Sequence, residues 1–141
     1  MNAYADTSFF VSLYLSDQHS LEAQRLASQS VVWLTPLHIA EWTHAIEQHV
    51  FRKMISGGEA ARIHNAFQTS IQSGVWFEVL VPDSAFQRCA ELARRYAAKF
   101  GLRTLDTLHV AAALELNAGA FWTFDERQQK LAKACNLKTT I

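Results

Sequence analysis

Four carboxylates interrupt apolar surroundings in which an isolated carboxylate is costly: Asp6, Glu41, Asp106 and Asp125. Asp6 closes the run Asn2-Ala3-Tyr4-Ala5 and is followed by Thr7-Ser8 and a helical pattern over 9–15. Asp125 lies at the end of Phe121-Trp122-Thr123-Phe124 in the same way. A strand that ends in Asp where a helix begins places it on the rim of a parallel sheet, where open α/β folds bind ligands. Glu41 sits between Ala40 and Trp42 in the first turns of one helix, and Asp106 in the first turn of another. The dipole and free amides of a helix start favour the anion. Four such groups on one rim repel each other and require a cation. Oxygen donors without a thiolate or imidazole cluster select Mg²⁺ or Mn²⁺.

Each carboxylate also has a structural explanation. Asp6 reads as an N-cap, Glu41 as a solvated helix residue, and Asp125 with Gln128 three residues later as a capping box. Asp83 reads as a cap and nothing more. His38, Glu41 and His44 share a helix face, and Glu41-Trp42-Thr43-His44 is a Glu-x-x-His. A di-iron bundle needs a second such motif, and zinc hydrolases need HExxH; the chain has neither. His109, in an apolar helix, reads as a hydrogen-bonded core histidine, and Trp42, Trp76 and Trp122 as core filling. Arg52, Lys53, Arg94, Arg95, Lys99 and Arg103 suit phosphate contacts or a solvated face equally well.

The elements that position these groups follow from periodicity. Residues 16–20 form a turn, and a helix follows with Leu21, Ala23, Leu26 and Ala27 inward. Val31-Val32-Trp33-Leu34 is β-prone, and Thr35-Pro36 starts a helix that runs to about Met54. Gly57-Gly58 breaks it, and 59–73 is helical. Residues 75–81 form the clearest strand, closed by Pro82-Asp83. A helix then runs to Gly101, and a buried helix, capped by Thr104, runs from there to Asn117-Ala118-Gly119. Strand 121–124, a helix carrying Leu131, Ala132 and Cys135, and a last strand over 137–141 complete the chain. Strands separated by helices, without hairpin signals, predict an α/β sandwich around a mostly parallel sheet.

The 141 residues suit a single domain spanning 1–141. Hydrophobic residues are 50% and charged residues 18%, which excludes a disordered tail. Thirteen basic and 13 acidic residues give a formal net charge of +0, so no global footprint for nucleic acid is present. Cys89 and Cys135 lack paired spacing and read as free thiols of a reducing compartment. The first residues carry no secretory pattern and no apolar run spans a bilayer, so the expectation is a cytoplasmic protein without membrane contact.

Tyr4-Ala5-Asp6-Thr7-Ser8, the helical Glu41, the segment from Leu105-Asp106-Thr107-Leu108-His109 through Val110-Ala111-Ala112-Ala113, and Thr123-Phe124-Asp125 together resemble the PIN domain family. Within it the chain is most similar to VapC-type toxins of toxin–antitoxin pairs. The resemblance covers essentially the whole chain and implies a three-layer sandwich with helices flanking a mostly parallel sheet. It implies a Mg²⁺-dependent endoribonuclease, with Mn²⁺ as the alternative metal. The implied partners are an RNA substrate, a cognate antitoxin and a second copy in a homodimer. Asp6, Glu41, Asp106 and Asp125 match the family's acidic catalytic and metal positions, and Ser8 and Thr123 its supporting polar positions. Such carboxylates hold metal, which lowers the pKa of a bound water and stabilises charge on the scissile phosphate. The rivals are a PIN-type nuclease of routine RNA processing and a non-catalytic RNA- or protein-binding module.

Overall fold

Side chains alternate across the strands as the pleat requires. Ala3 and Ala5 of β1 (Asn2–Ala5), Val32 and Leu34 of β2 (Val31–Leu34), and Ala120 and Trp122 of β4 (Ala120–Trp122) point to one core. Tyr4, Trp33 and Phe121 point to the other. Both faces of the sheet are therefore apolar and both must be covered, which is the condition that makes a parallel sheet stable. The computed structural model describes residues 1–139.

The sheet has four strands in the order β3-β2-β1-β4, with β3 being Phe77–Glu78, and all pairings are parallel. Helices α1 (Thr7–Tyr14), α2 (Ser20–Ala27), α3 (Pro36–Phe51) and α4 (Gly57–Gln72) cover the first face through Phe9, Phe10, Trp42, Ile46 and Phe67. The second face is covered by α5 (Ser84–Leu92), α7 (Thr104–Glu115) and α8 (Glu126–Ala134). Between α5 and α7 the chain passes through a π-helical turn (Ala93–Ala97) and the short α6 (Ala98–Phe100). This is the expected three-layer α/β architecture with an all-parallel sheet. Residues 107–113 of α7 are all buried, as its apolar sequence predicts.

Gly101 ends α6 in the left-handed region, φ 69°. Gly119 is required for space: its amide donates to Asn2 O at 2.9 Å, and a Cβ would stand 3.1 Å from that same oxygen.

Several expected elements differ. The strand expected over 75–81 shrinks to Phe77–Glu78, paired with Trp33 and Leu34, because past Leu34 the chain of β2 turns at Thr35 into α3. Trp76 leaves the sheet edge, packs edge-to-face on Phe10 and donates its indole N–H to Tyr14 Oη. Gly57-Gly58 do not break a helix but open α4, because Ser56 and Glu59 form a capping box around them. Thr104 is not the cap of α7. Arg103 holds that position, and its amide donates to Asp106 Oδ2 at 3.1 Å. Leu21 faces solvent, and α2 lies over the core through Ala23 and Leu26, with Ala27 partly buried against it. Of the last strand expected over 137–141, Thr139 makes a bridge to Phe121, and Thr140 and Ile141 lie outside the described residues. No helix among the described residues is long and apolar enough to cross a membrane.

Candidate active site

The chain builds β2 and β3 on one side of β1 and β4 on the other, so the switch point of this sheet falls between the C-terminal ends of β1 and β4. Asp6 stands there. Its amide donates to Trp122 O at 3.0 Å, which extends the β1–β4 ladder by one rung. Its carboxylate caps α1 by accepting Phe9 N at 3.2 Å. Ser8 Oγ lies 2.8 Å from each carboxylate oxygen, and Thr123 Oγ1 lies 3.2 Å from Oδ2. The residue is 7% exposed. Burial raises its pKa, and the opposing effects of Ser8, His109, Phe9 N and Thr123 do not cancel it, so the carboxyl is pushed up to about 6.

Thr123 joins Asp6 to the other rim groups. Its hydroxyl oxygen accepts Asp125 N at 3.0 Å, and its single proton is shared between Asp6 and Gln128 Oε1, the latter at 2.8 Å. Gln128 Nε2 in turn donates to Asp106 O at 3.2 Å. The Asp125 carboxylate caps α8, accepting Arg127 N at 2.8 Å and Gln128 N at 3.1 Å. The reciprocal bond expected of a capping box is absent from this pair; the Gln128 side chain bridges Thr123 and Asp106 instead. Asp106 also ion-pairs with Arg103, Nε to Oδ2 3.5 Å.

Glu41 arrives from α3 on the other side of Thr7. Its Oε1 accepts Thr7 Oγ1 at 2.8 Å and meets His109 Nε2 at 2.5 Å. Burial pushes the Glu41 carboxyl up, yet the hydrogen bonds it accepts from His109 and Thr7 outweigh it and hold the group below its ordinary value. His109 is buried, and its Nδ1 meets Tyr4 Oη at 2.7 Å. Beside it, His38 accepts Thr35 N at 3.0 Å through Nδ1, which leaves its proton on Nε2 for Ala5 O at 2.7 Å. Burial, then the neighbouring His109, depress the His38 pKa well below the imidazole range and keep it neutral.

The structure therefore links Asp6, Asp125 and the backbone of Asp106 through Thr123 and Gln128, and sets Glu41 beside them through Thr7. Among the described residues, no three or more His, Cys, Asp or Glu side chains gather closely enough to hold a metal ion by themselves. The donors fit a hard cation that retains water: they are oxygens, and the buried Asp6 charge is left undercompensated by the protein. Thr7, Gln128 and the Tyr4–His109 pair join the candidate site, although the sequence offered them only as motif neighbours, a capping partner and a core histidine. The available signal was spacing, since His109 follows Asp106 by three positions on the same helix face.

The PIN domain family matches residues 3–134. No curated protein matches the chain significantly by sequence. Similar solved structures include FitAcB from Neisseria gonorrhoeae, at 16% identity and TM-score 0.72 over 97% of this chain and 95% of that one. VapC20 from Mycobacterium tuberculosis, described as a sarcin-ricin loop cleaving toxin, aligns at 17% identity and TM-score 0.68 over 91% and 93%. VapBC2 from Rickettsia felis, bound to a promoter DNA fragment, aligns at 17% and 0.65 over 99% and 97%. The likeness is one of fold, and the family match extends through β1, α3, α7 and the Asp125 cap of α8. The chain belongs to the PIN domain family.

Proposed function

We propose that the chain is a Mg²⁺-dependent endoribonuclease and the toxin of a toxin–antitoxin pair. The observation that carries the reading is the Asp6 carboxylate, buried at the switch point of the sheet with its pKa raised to about 6. A protein gains nothing in stability from such a charge, and a cation offsets its cost. Asp6 would hold the ion with Asp125, Asp106 and Glu41 around it. The small number of converging carboxylates suits Mg²⁺, which keeps several waters and takes one or two carboxylates. When bound, the metal activates water and stabilises charge on the phosphate.

The chain's own residues do the rest. Ser8 and Thr123 orient Asp6, Gln128 braces the loop around Asp125, and Thr7 with His109 holds Glu41 at the mouth, where it can take up the proton of an attacking water. Arg103, 81% exposed along its side chain and paired with Asp106, is placed to exchange that partner for an RNA phosphate. The toxin role is supported by the fold shared with VapC20, which is described as a toxin. A homodimer belongs to the same reading: exposed Phe86 and Leu105 flank an apolar groove of about 660 Å³ between α5 and α7 that a second copy would cover.

Purified protein incubated with total RNA, with and without Mg²⁺, tests the activity by mapping the cleaved ends. Co-expression with an adjacent small gene should abolish growth arrest. Cleavage without arrest moves the protein to routine RNA processing, and no cleavage moves it to a binding module.

A further inference from the structure

We propose that His109 is a positioning residue for Glu41, acting with Tyr4 and Thr7 as a buried clamp that presents one chosen oxygen of that carboxylate at the mouth of the site. The consequence for metal rests on the function proposed above, whereas the clamp itself rests on geometry in the protein alone.

Glu41 lies on α3 with its side chain 23% exposed, and a Glu side chain left to itself is spread over many rotamers. Here two donors end on the same oxygen. Thr7 Oγ1 reaches Oε1 at 2.8 Å and His109 Nε2 reaches it at 2.5 Å. No described residue donates to Oε2, so that oxygen is the one offered outward.

The ring can serve as a donor only if its proton is on Nε2, and its surroundings assign it there. His109 is 2% exposed, so each ring nitrogen needs a partner. Nδ1 faces the Tyr4 hydroxyl at 2.7 Å. The Glu41 carboxylate can only accept, so the ring proton lies on Nε2 and Nδ1 is left to accept from the phenol. Tyr4 is itself fixed, since it is fully buried in β1 and stacks on Phe121. The adjacent His38 ring, 4.8 Å away, already spends both nitrogens on Thr35 and Ala5 and does not compete for His109. A rigid strand residue thus sets the tautomer of a helix residue, and the tautomer sets a carboxylate on a second helix. Partners that orient a metal-binding group in this way are worth 10–100-fold in affinity.

Imidazole ¹⁵N spectra of the metal-free protein at neutral pH test the clamp directly. The expected result is His109 protonated at Nε2, with Tyr4→Phe admitting the other tautomer. An unprotonated Nε2 in the parent would overturn the proposal. Mn²⁺ titration followed by electron paramagnetic resonance supplies the second arm. His109→Leu should weaken binding about 10–100-fold. His109→Gln, which keeps an N–H near the Nε2 position, should recover most of the loss, and Tyr4→Phe should fall between. A folded His109→Leu that binds Mn²⁺ as the parent does also overturns the proposal, and if that variant fails to fold, Tyr4→Phe decides. A parent that binds no Mn²⁺ removes the proposed function instead, while the tautomer still decides the clamp.

Discussion

Asp6 and Thr123, 117 positions apart, share a hydrogen bond of 3.2 Å at the ends of adjacent parallel strands. The bond joins the first strand to the last and leaves a carboxylate in a place where solvent barely reaches it. The stability of the protein should therefore depend on the charge of one residue.

Because the folded pKa of Asp6, about 6, lies above the ordinary 3.8, the folded state binds its proton more tightly than the unfolded chain does. The advantage of the protonated form is whole below 3.8 and is lost as pH rises through 6. About two pKa units correspond to roughly 3 kcal/mol at pH 8. Asp6→Asn keeps a good cap and should lack this loss. Urea midpoints of parent and variant at pH 5 and pH 8 check it; equal pH dependence in the two proteins would argue against a burdened Asp6.

Glu41 has the opposite sign. Its carboxyl is held below its ordinary value, so it contributes stability above 4.5 that is lost as pH falls through the folded pKa. Partial exposure limits the amount. Glu41→Gln can still accept from His109 and should cost about 1 kcal/mol at pH 7, with the difference from the parent shrinking below pH 4. A variant that is more stable than the parent at pH 7 would contradict the pairing with His109.

Thr123→Val preserves shape and removes the donor to Asp6 and Gln128 and the acceptor for Asp125 N. Buried polar partners left unsatisfied cost about 1–3 kcal/mol each, so this variant should be among the most destabilising near-isosteric changes in the chain. Thermal denaturation of the metal-free protein reads the effect. A loss under about 0.5 kcal/mol would mean that the bridge through Thr123 and Gln128 is dispensable.

Metal should stabilise the folded chain. A ligand at a hundredfold excess over its dissociation constant adds about 2.7 kcal/mol. Mg²⁺ or Mn²⁺ should raise the melting temperature where Na⁺ at matched ionic strength does not, and Asp6→Asn should blunt the response. Indifference of the parent to both ions at millimolar concentration would remove the metal from the site.

The parallel sheet and its helical layers were legible because apolar alternation and helix-start residues are local signals, as at Thr35-Pro36 and around Tyr4. The position of Asp6 at the end of β1 was legible for the same reason. The strand expected over 121–124 instead stops at Trp122 and leaves Asp125 three residues beyond it as the cap of α8. What could not be read was which donors each carboxylate would meet. The role of Gln128 depends on Thr123 lying beside Asp6, a contact between distant strands, and locally it resembled only a cap. His109 looked like a core residue, which by burial it is, and its bond to Glu41 appears only when α7 and α3 meet across Tyr4. The strand at 75–81 failed because its ends are set by tertiary context, the turn of β2 into α3 at one end and the packing of Trp76 on Phe10 at the other, not by its own propensity.

The position of β1 between β2 and β4 also bears on synthesis. A chain that has emerged only as far as α7 has Asp6, Glu41 and Asp106 but neither Thr123 nor Asp125, and β1 has one unpaired edge. Domains fold as units as they leave the ribosome, N-terminal parts first. In this topology the first strand waits for β4, so a nascent chain remains chemically incomplete until β4 and the start of α8 have emerged. Under the function proposed above, the message and ribosome still producing the chain would be spared until that point.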